Sequence, residues 1–147
     1  MKLFCILVFS FVFVAAQETA PDGFQLWTVS SLAQAAQELK KESASNPHHI
    51  ATRKLADFQN DLFMLSHREA DGIDEWHETQ ADVFFIQLGS ATLLVGGNMV
   101  GGETVEPHGK RNGKIEGGTS YKLHAGDVIR IPPKTPHQIL LGGSRIL

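Results

Sequence analysis

Three side chains of the types that bind transition metals occur in two short segments of this 147-residue chain. His77 and Asp82 lie in the segment Glu75-Trp-His-Glu-Thr-Gln-Ala-Asp82, and His137 ends the segment Gly126-Asp-Val-Ile-Arg-Ile-Pro-Pro-Lys-Thr-Pro-His137. Two histidines and one carboxylate that leave coordination positions open are the ligand set of many non-haem iron sites. The same set also binds zinc. The sequence therefore predicts a metal site at His77, Asp82 and His137, whose open positions take a small-molecule ligand or substrate.

Glu75 is the next candidate, because residues two apart on a strand point to the same face and Glu75 would lie beside His77. As a fourth ligand it would make the site more anionic, which favours Fe²⁺ or Mn²⁺ over Cu²⁺ and leaves Zn²⁺ and Ni²⁺ compatible. A general base and a partner that orients His77 are two other roles that fit Glu75 equally well. His67, on the same strand face as Phe63 and Leu65, is a candidate acid–base group near neutral pH. A hydrogen-bonded histidine of the core or rim is the alternative for His67.

The hydrophobic pattern predicts the elements that position these residues. Ser31-Leu-Ala-Gln34 has the form of a capping box that opens one short amphipathic helix, with Lys40 and Lys41 in its last turn. From about Ile50 the period changes to two, and short strands bounded by Gly or Pro are predicted over residues 62–67, 73–77, 83–88, 91–95, 120–123, 128–131 and 137–141. The Gly-rich, basic segment 101–118 is predicted to be a long loop, with room for one short strand in it. This pattern is typical of an all-β sandwich or barrel with one short N-terminal helix.

Residues 72–141 resemble the two motifs of the cupin family. In the first motif, Gly89, Asp82 and His77 fall on the family's Gly, Glu and second His, and Glu75 stands in place of the first His. In the second motif, matching positions are Gly126, Pro132 and His137, whereas Lys134 and Leu141 replace the family's Gly and Asn.

The cupin resemblance implies a double-stranded β-helix, or jelly-roll barrel, which we expect over residues 49–147. It also implies a metal held by the motif residues, pairing of two subunits through outer sheet faces as a homodimer, and chemistry of dioxygenase, isomerase or lyase type. A metal-dependent enzyme is one hypothesis. A metal-free barrel that binds a small ligand, or a structural module stabilised by dimerisation, are the others.

The first residues have the features of a secretory signal peptide. Lys2 precedes an apolar run over residues 3–14, and Val14-Ala15-Ala16 is a small-residue cleavage site. We therefore expect residues 1–16 to be removed, residues 17–48 to form a lead-in segment with the short helix, and the protein to be secreted or periplasmic. Cys5, the only cysteine, lies in this peptide, so the mature chain contains no disulfide.

The charge balance excludes two classes of partner. Without Lys2, 12 basic and 16 acidic residues remain, a net charge of −4 with neutral histidines. This argues against nucleic acid and against a membrane surface as partners after cleavage. Lys110, Arg111 and Lys114 form a basic cluster that would attract an anionic ligand or, as the alternative, belong to a solvated loop.

Overall fold

The computed structural model describes residues 20–105, 108–143 and 146. The predicted signal peptide, residues 1–16, lies outside the described residues. The described residues form one helix, α1 (Val29–Ser45), and ten strands. The strands are β1 (Ile50–Asp57), β2 (Leu62–Arg68), β3 (Glu75–His77), β4 (Asp82–Phe85), β5 (Ser90–Val95), β6 (Asn98–Val105), β7 (Gly109–Glu116), β8 (Thr119–His124), β9 (Val128–Ile131) and β10 (His137–Leu140).

The strands form three antiparallel sheets. β1 and β2 make a hairpin, β4 pairs with β9, and six strands follow one another in the order β6-β7-β3-β10-β5-β8. The prediction of a mostly β protein with one short helix near the N-terminus is confirmed. Within the described residues, no helix combines the length and the apolar character needed to cross a membrane.

Two hydrophobic clusters hold the three sheets and the helix together. The larger cluster joins the six-stranded sheet to the β4-β9 sheet, and its buried members are Ile86, Ala91, Leu93, Leu123, Ile131, Ile139, Leu141 and Ile146. The smaller cluster joins α1 to the β1-β2 hairpin through Leu39, Ala51 and Leu65. Both follow from the predicted periodicity, because alternate strand residues and the Leu32-Ala35-Ala36-Leu39 stripe of the helix each supply one apolar face.

Helix α1 starts earlier and ends later than the sequence predicts. Thr28 is the N-cap, and its Oγ1 accepts a hydrogen bond of 3.1 Å from the Ser31 backbone N–H. Ser31 is therefore inside the first turn instead of capping it. Thr and Ser are both good caps, so the sequence pattern alone selected the wrong one. The last turn extends to Ser45 and contains no basic residue.

The predicted loop 101–118 is wrong, because most of it belongs to the hairpin β6-β7. The two strands pair from Asn98 opposite Glu116 to Val105 opposite Gly109. Glycine is used here for close approach of backbones: a Cβ on Gly113 would lie 2.9 Å from the Val100 carbonyl oxygen. The glycines that suggested a loop are thus strand residues at a tight crossing.

Hydrogen bonds tie the segment before β3 to β10. The Gly72 N–H donates to the Ile139 carbonyl at 2.8 Å, and the Gln138 side chain donates to the Gly72 carbonyl at 2.8 Å. The Asp71 carboxylate accepts from the Leu141 N–H at 2.6 Å. These contacts set the register in which Glu75 lies opposite His137.

The end of β4 also differs from the prediction. β4 ends at Phe85, after which the Ile86 N–H and carbonyl bond to the turn at Asp127 and Gly126. Leu88 is consequently exposed and does not share the inner face of Phe84. Ile146 is buried and forms isolated bridges both to Arg68, the last residue of β2, and to Gly89.

The turn between β5 and β6 offers a matched test of close backbone packing. Gly96 and Gly97 both have positive φ, so alanine at either costs about 1 kcal/mol. A Cβ on Gly97 would also contact the Glu116 carbonyl oxygen and lie 2.8 Å from Gly117 C, whereas on Gly96 its nearest neighbour would be 4.0 Å away. We expect Gly97→Ala to cost about 1–3 kcal/mol more than Gly96→Ala in urea unfolding. Equal losses for the two variants would contradict this packing.

Candidate metal centre

Two imidazoles and one carboxylate converge at one end of the larger hydrophobic cluster. His137 Nε2 lies 3.0 Å from Asp82 Oδ2, and His77 Nε2 lies 3.3 Å from the same oxygen. One ligand atom from each of the three residues lies within 4.8 Å of the other two. His77, Asp82 and His137 could therefore hold a metal ion, as the sequence predicts.

Two of the three distances between these atoms are compatible with a bound transition-metal ion. With metal–ligand bonds of about 2.1 Å, adjacent ligand atoms lie about 3.0 Å apart at right angles and about 3.4 Å apart at the tetrahedral angle. The two nitrogen–oxygen distances to Asp82, 3.0 Å and 3.3 Å, fall within that range. The donor set of two imidazoles and a carboxylate, without a thiolate, fits Fe²⁺, Mn²⁺ or Zn²⁺.

Three strands of two different sheets position the ligands. His137 opens β10 and is paired with Glu75 of β3 on one side and with Val95 of β5 on the other. Asp82 opens β4, opposite the buried Ile131 of β9. The Asp82 side chain is 26% exposed and that of His77 is 17% exposed, whereas His137 is buried. The cluster is thus partly exposed to solvent on the side of Asp82 and His77.

The backbone fixes the orientation of His137. Its Nδ1 lies 3.1 Å from the Thr135 carbonyl oxygen. A carbonyl can only accept, so Nδ1 carries the proton and donates, and Nε2 presents its lone pair toward Asp82 when the ring is neutral. The ring of Phe84 lies at 6.2 Å from that of His137 and supplies an apolar wall.

Glu75 lies next to this cluster, on the metal-binding side of His77. Its Oε2 is 3.7 Å from His77 Nε2, the nitrogen that also faces Asp82. The other ring nitrogen, Nδ1, faces the backbone of β7, where a Cβ on Gly109 would lie 3.7 Å from it. Glu75 is therefore placed as a further ligand or a base, and not as a partner of the outward-facing nitrogen.

Arg111 pairs with the Glu75 carboxylate, and Arg68 interacts with it electrostatically. Arg111 of β7 lies directly opposite Glu75, with Nη2 at 3.2 Å from Oε2. Arg68, at the end of β2, is half buried. Burial lowers the pKa of the Arg68 guanidinium; nearby Glu75 opposes this effect and Arg111 adds to it. Among the described residues, no carboxylate forms an ion pair with Arg68.

Burial and hydrogen bonding act in opposite directions on Asp82 and His137. Burial alone raises the pKa of Asp82, but hydrogen bonds from His137 and His77 outweigh it and hold that pKa well below its usual range. Burial alone lowers the pKa of His137, but the hydrogen bond to Asp82, the contact with Thr135 and the charges of Asp82 and Glu75 raise it above 6.5. The metal-free pair is thus drawn toward imidazolium and carboxylate.

The structure does not bring His67 to this cluster. His67 is buried, its Nε2 lies 3.1 Å from Glu69 Oε1, and it lines a separate pocket of about 200 Å³ beneath α1. Its strand face is the one that packs on the helix, opposite Ala51.

Sequence reasoning missed two contributors to the site, Arg68 and the Thr135 carbonyl, and the position of a third, Arg111. Arg68 carries no sequence signal, because it ends a strand that was assigned to the scaffold. The Thr135 carbonyl belongs to the backbone, so the residue type at position 135 gives no indication of this contact. Arg111 was noticed as part of a basic cluster, but its pairing with Glu75 depends on the hairpin that was predicted as a loop.

Comparison with known proteins adds no relative to this picture, since no protein-family model, no curated protein and no solved structure matches the chain. The candidate site therefore stands on its own geometry.

The raised pKa of His137 predicts how the stability of the metal-free protein depends on pH. Because the folded state binds this proton more tightly than the unfolded state, the contribution of His137 is complete below pH 6.5 and is lost as the pH rises through the folded-state pKa. The lowered pKa of Asp82 adds stability above pH 3.8. The free-energy gap between wild type and His137→Gln should therefore be larger at about pH 5.5 than at about pH 8.5.

Urea unfolding with a chelator present measures this gap. His124→Gln is the control. His124 also lies near a carboxylate, at 3.7 Å from Asp127, but its side chain is exposed whereas that of His137 is buried. A gap between wild type and His137→Gln that stays constant or widens toward alkaline pH would show that the pair does not share a proton in this way.

Proposed function

We propose that the protein is an exported, single-domain cupin in which His77, Asp82 and His137 hold one divalent cation. Its open coordination positions take a small organic ligand or substrate. The observation that carries the proposal is the convergence of these three side chains, from three strands, within 4.8 Å of one another. Export follows from the signal-peptide pattern of residues 1–16.

The arrangement of the sheets supports the barrel part of this proposal. Phe84, Ile129 and Ile131 of the β4-β9 sheet pack into the same cluster as Leu93 and Ile139 of the six-stranded sheet. The two cupin-like motifs supply β3, β4 and β10, which carry the candidate ligands. A jelly-roll barrel brings distant motifs together at one end of an apolar interior in this manner.

The ligand chemistry favours iron or manganese. Imidazole nitrogens and carboxylate oxygens suit Fe²⁺ and Mn²⁺, and Glu75 as an additional oxygen donor strengthens this preference; Zn²⁺ and Ni²⁺ are compatible. The bound ion would supply Lewis-acid activation of the ligand or, if it is iron, activation of oxygen. The reaction would be of dioxygenase, isomerase or lyase type, as the cupin resemblance implies.

Residues around the candidate ligands orient them and set the charge of the site. Thr135 holds the Nδ1 proton of His137 and so directs Nε2 inward. Arg111 holds the Glu75 side chain beside His77, where it can bind the ion or accept a proton from a ligand. Arg111, which pairs with Glu75, and Arg68, which interacts with both, add positive charge on the Glu75 side of the cluster, which favours a ligand that is itself an anion.

Metal retention tests the proposal directly. After dialysis without chelator, wild-type protein should retain close to one equivalent of iron or manganese by elemental mass spectrometry. His137→Gln and Asp82→Asn should bind it more than about 100-fold more weakly, because losing even a partner of a ligand costs roughly 10–100-fold. His124→Gln, an exposed histidine outside the cluster, should behave like wild type.

Circular dichroism of each variant separates loss of metal from loss of fold. A folded wild-type protein that neither retains nor takes up iron, manganese, zinc or nickel would refute the metal-binding function. Glu75→Gln then distinguishes its roles, since a ligand affects metal affinity, whereas a base affects turnover with the affinity unchanged.

A metal-free ligand-binding or structural barrel is the second candidate. It is favoured by the completeness of the hydrogen bonding, since Asp82 accepts from both imidazoles and no fully buried side-chain nitrogen or oxygen of the described residues lacks a partner. Under this alternative the cluster is a structural polar network. His137→Gln would then destabilise the protein as much with added metal as with chelator.

The outer face of the β4-β9 sheet supports the proposed homodimer. Phe85 and Val128 lie opposite each other, are 60% and 61% exposed, and adjoin the half-exposed Val83. Three adjacent apolar side chains on an open sheet face favour an interface. We expect Phe85→Asp to convert a dimer to a monomer in sedimentation velocity, and Val100→Asp on β6 to leave the dimer intact. A monomeric wild-type protein would exclude this pairing.

A further inference from the structure

A groove lies on the outer side of β3, away from the candidate metal centre. It has a volume of about 230 Å³. Trp76 forms one wall, and because it stands between Glu75 and His77 on a strand, its side chain points to the opposite face from theirs. The lining includes Trp76, Asn98, Met99, Lys110, Lys134 and Pro136.

Two ammonium groups, those of Lys110 and Lys134, border the groove. Lys110 lies directly opposite Trp76 on β7, and its Nζ is 6.0 Å from the centre of the indole ring. Lys134 enters from the loop before β10. Among the described residues, no carboxylate forms an ion pair with either lysine, although the protein carries more acidic than basic residues. The groove thus offers a local positive charge on a negatively charged protein.

Lys134 adopts a backbone conformation that its side chain disfavours. Its φ is +62°, in the left-handed region that glycine occupies without strain. The turn is held by a hydrogen bond of 2.6 Å from the Lys134 N–H to the His77 carbonyl oxygen, which any residue except proline could make. A lysine at this position therefore strains the turn, and replacing it with glycine would relieve that strain.

The remaining walls select the body of the ligand. Trp76, Met99 and Pro136 present an aromatic ring, a polarisable thioether and a buried pyrrolidine ring. Aromatic and thioether groups pack favourably on flat unsaturated rings. A groove of this volume accommodates one or two fused rings.

We propose that this groove binds a small aromatic carboxylate, with its ring on Trp76 and its carboxylate between Lys110 and Lys134. The site is separate from the metal-binding face, so it should bind its ligand whether or not a cation is present.

A titration with 2-naphthoate, followed through the indole N–H signal of Trp76 in nitrogen-15 correlation spectra, tests the proposal. A Trp76→Phe variant assigns the signal, because Trp27 is the only other tryptophan. We expect a saturable shift of the Trp76 signal in protein with chelator and no shift of the Trp27 signal. The uncharged 2-naphthylmethanol and inorganic phosphate should each bind more weakly than 2-naphthoate.

Two lysine variants separate binding from folding. Lys134→Gly should melt at the same or a higher temperature than wild type, because glycine removes the backbone strain, and yet bind 2-naphthoate about two- to five-fold more weakly. Lys110→Gln should weaken binding to a similar extent. Lys122→Gln, an exposed lysine of β8 that bonds to Thr92, should leave binding unchanged.

Three results would overturn the proposal. They are a Trp76 signal that does not respond to 2-naphthoate, an equal affinity for 2-naphthylmethanol, which would leave only an apolar surface, and an equal affinity for phosphate, which would leave only a basic patch. Metal retention is measured separately, so none of these results bears on the function proposed for His77, Asp82 and His137.

Discussion

The carboxylate of Asp82 is the group around which the site is organised. It lies at the edge of an apolar cluster, where a carboxylate without partners would be costly to bury. Both imidazoles approach the same oxygen and compensate that cost. Each of the three residues belongs to a different strand, so a single electrostatic requirement ties together β3, β4 and β10. The polar centre and the packing of the two sheets are therefore one structural feature.

β10 has the decisive position among these strands. It lies between β3 and β5, and His137 at its first residue is paired with Glu75 on one side and Val95 on the other. The inner residue Ile139 continues into the hydrophobic cluster, so the same four-residue strand contributes both a candidate ligand and the core beneath it. The hydrogen bonds from the segment before β3 keep this register, which explains why three residues suffice for β3 itself.

The sequence predicted the cluster but not its surroundings. His77 and Asp82 are separated by one turn, so their proximity follows from local spacing. His137 is distant in sequence, and only its resemblance to the second cupin motif predicted that it would join them. The contact between Glu75 and Arg111 depends on the register between β3 and β7. The sequence did not predict β7, because its glycines, which allow close packing of the backbones, suggested a loop instead. His67 was assigned to the correct strand face, but that face packs on α1, and only the tertiary arrangement decides which layer covers a strand. The start of α1 was missed for a local reason, since Thr28 and Ser31 are equally competent caps.

Ile146 connects the two layers of the molecule. Its backbone donates to and accepts from Arg68 at the end of the β1-β2 hairpin, it also bridges to Gly89, and its side chain is buried in the larger cluster. The helix and hairpin have a hydrophobic cluster of their own, so they form a unit that can open independently when this link is released. Amide hydrogens of β1 should consequently exchange through a partial opening that leaves those of β5 and β10 protected. Ile146 is therefore one of the contacts through which the helix and hairpin unfold together with the larger sheet.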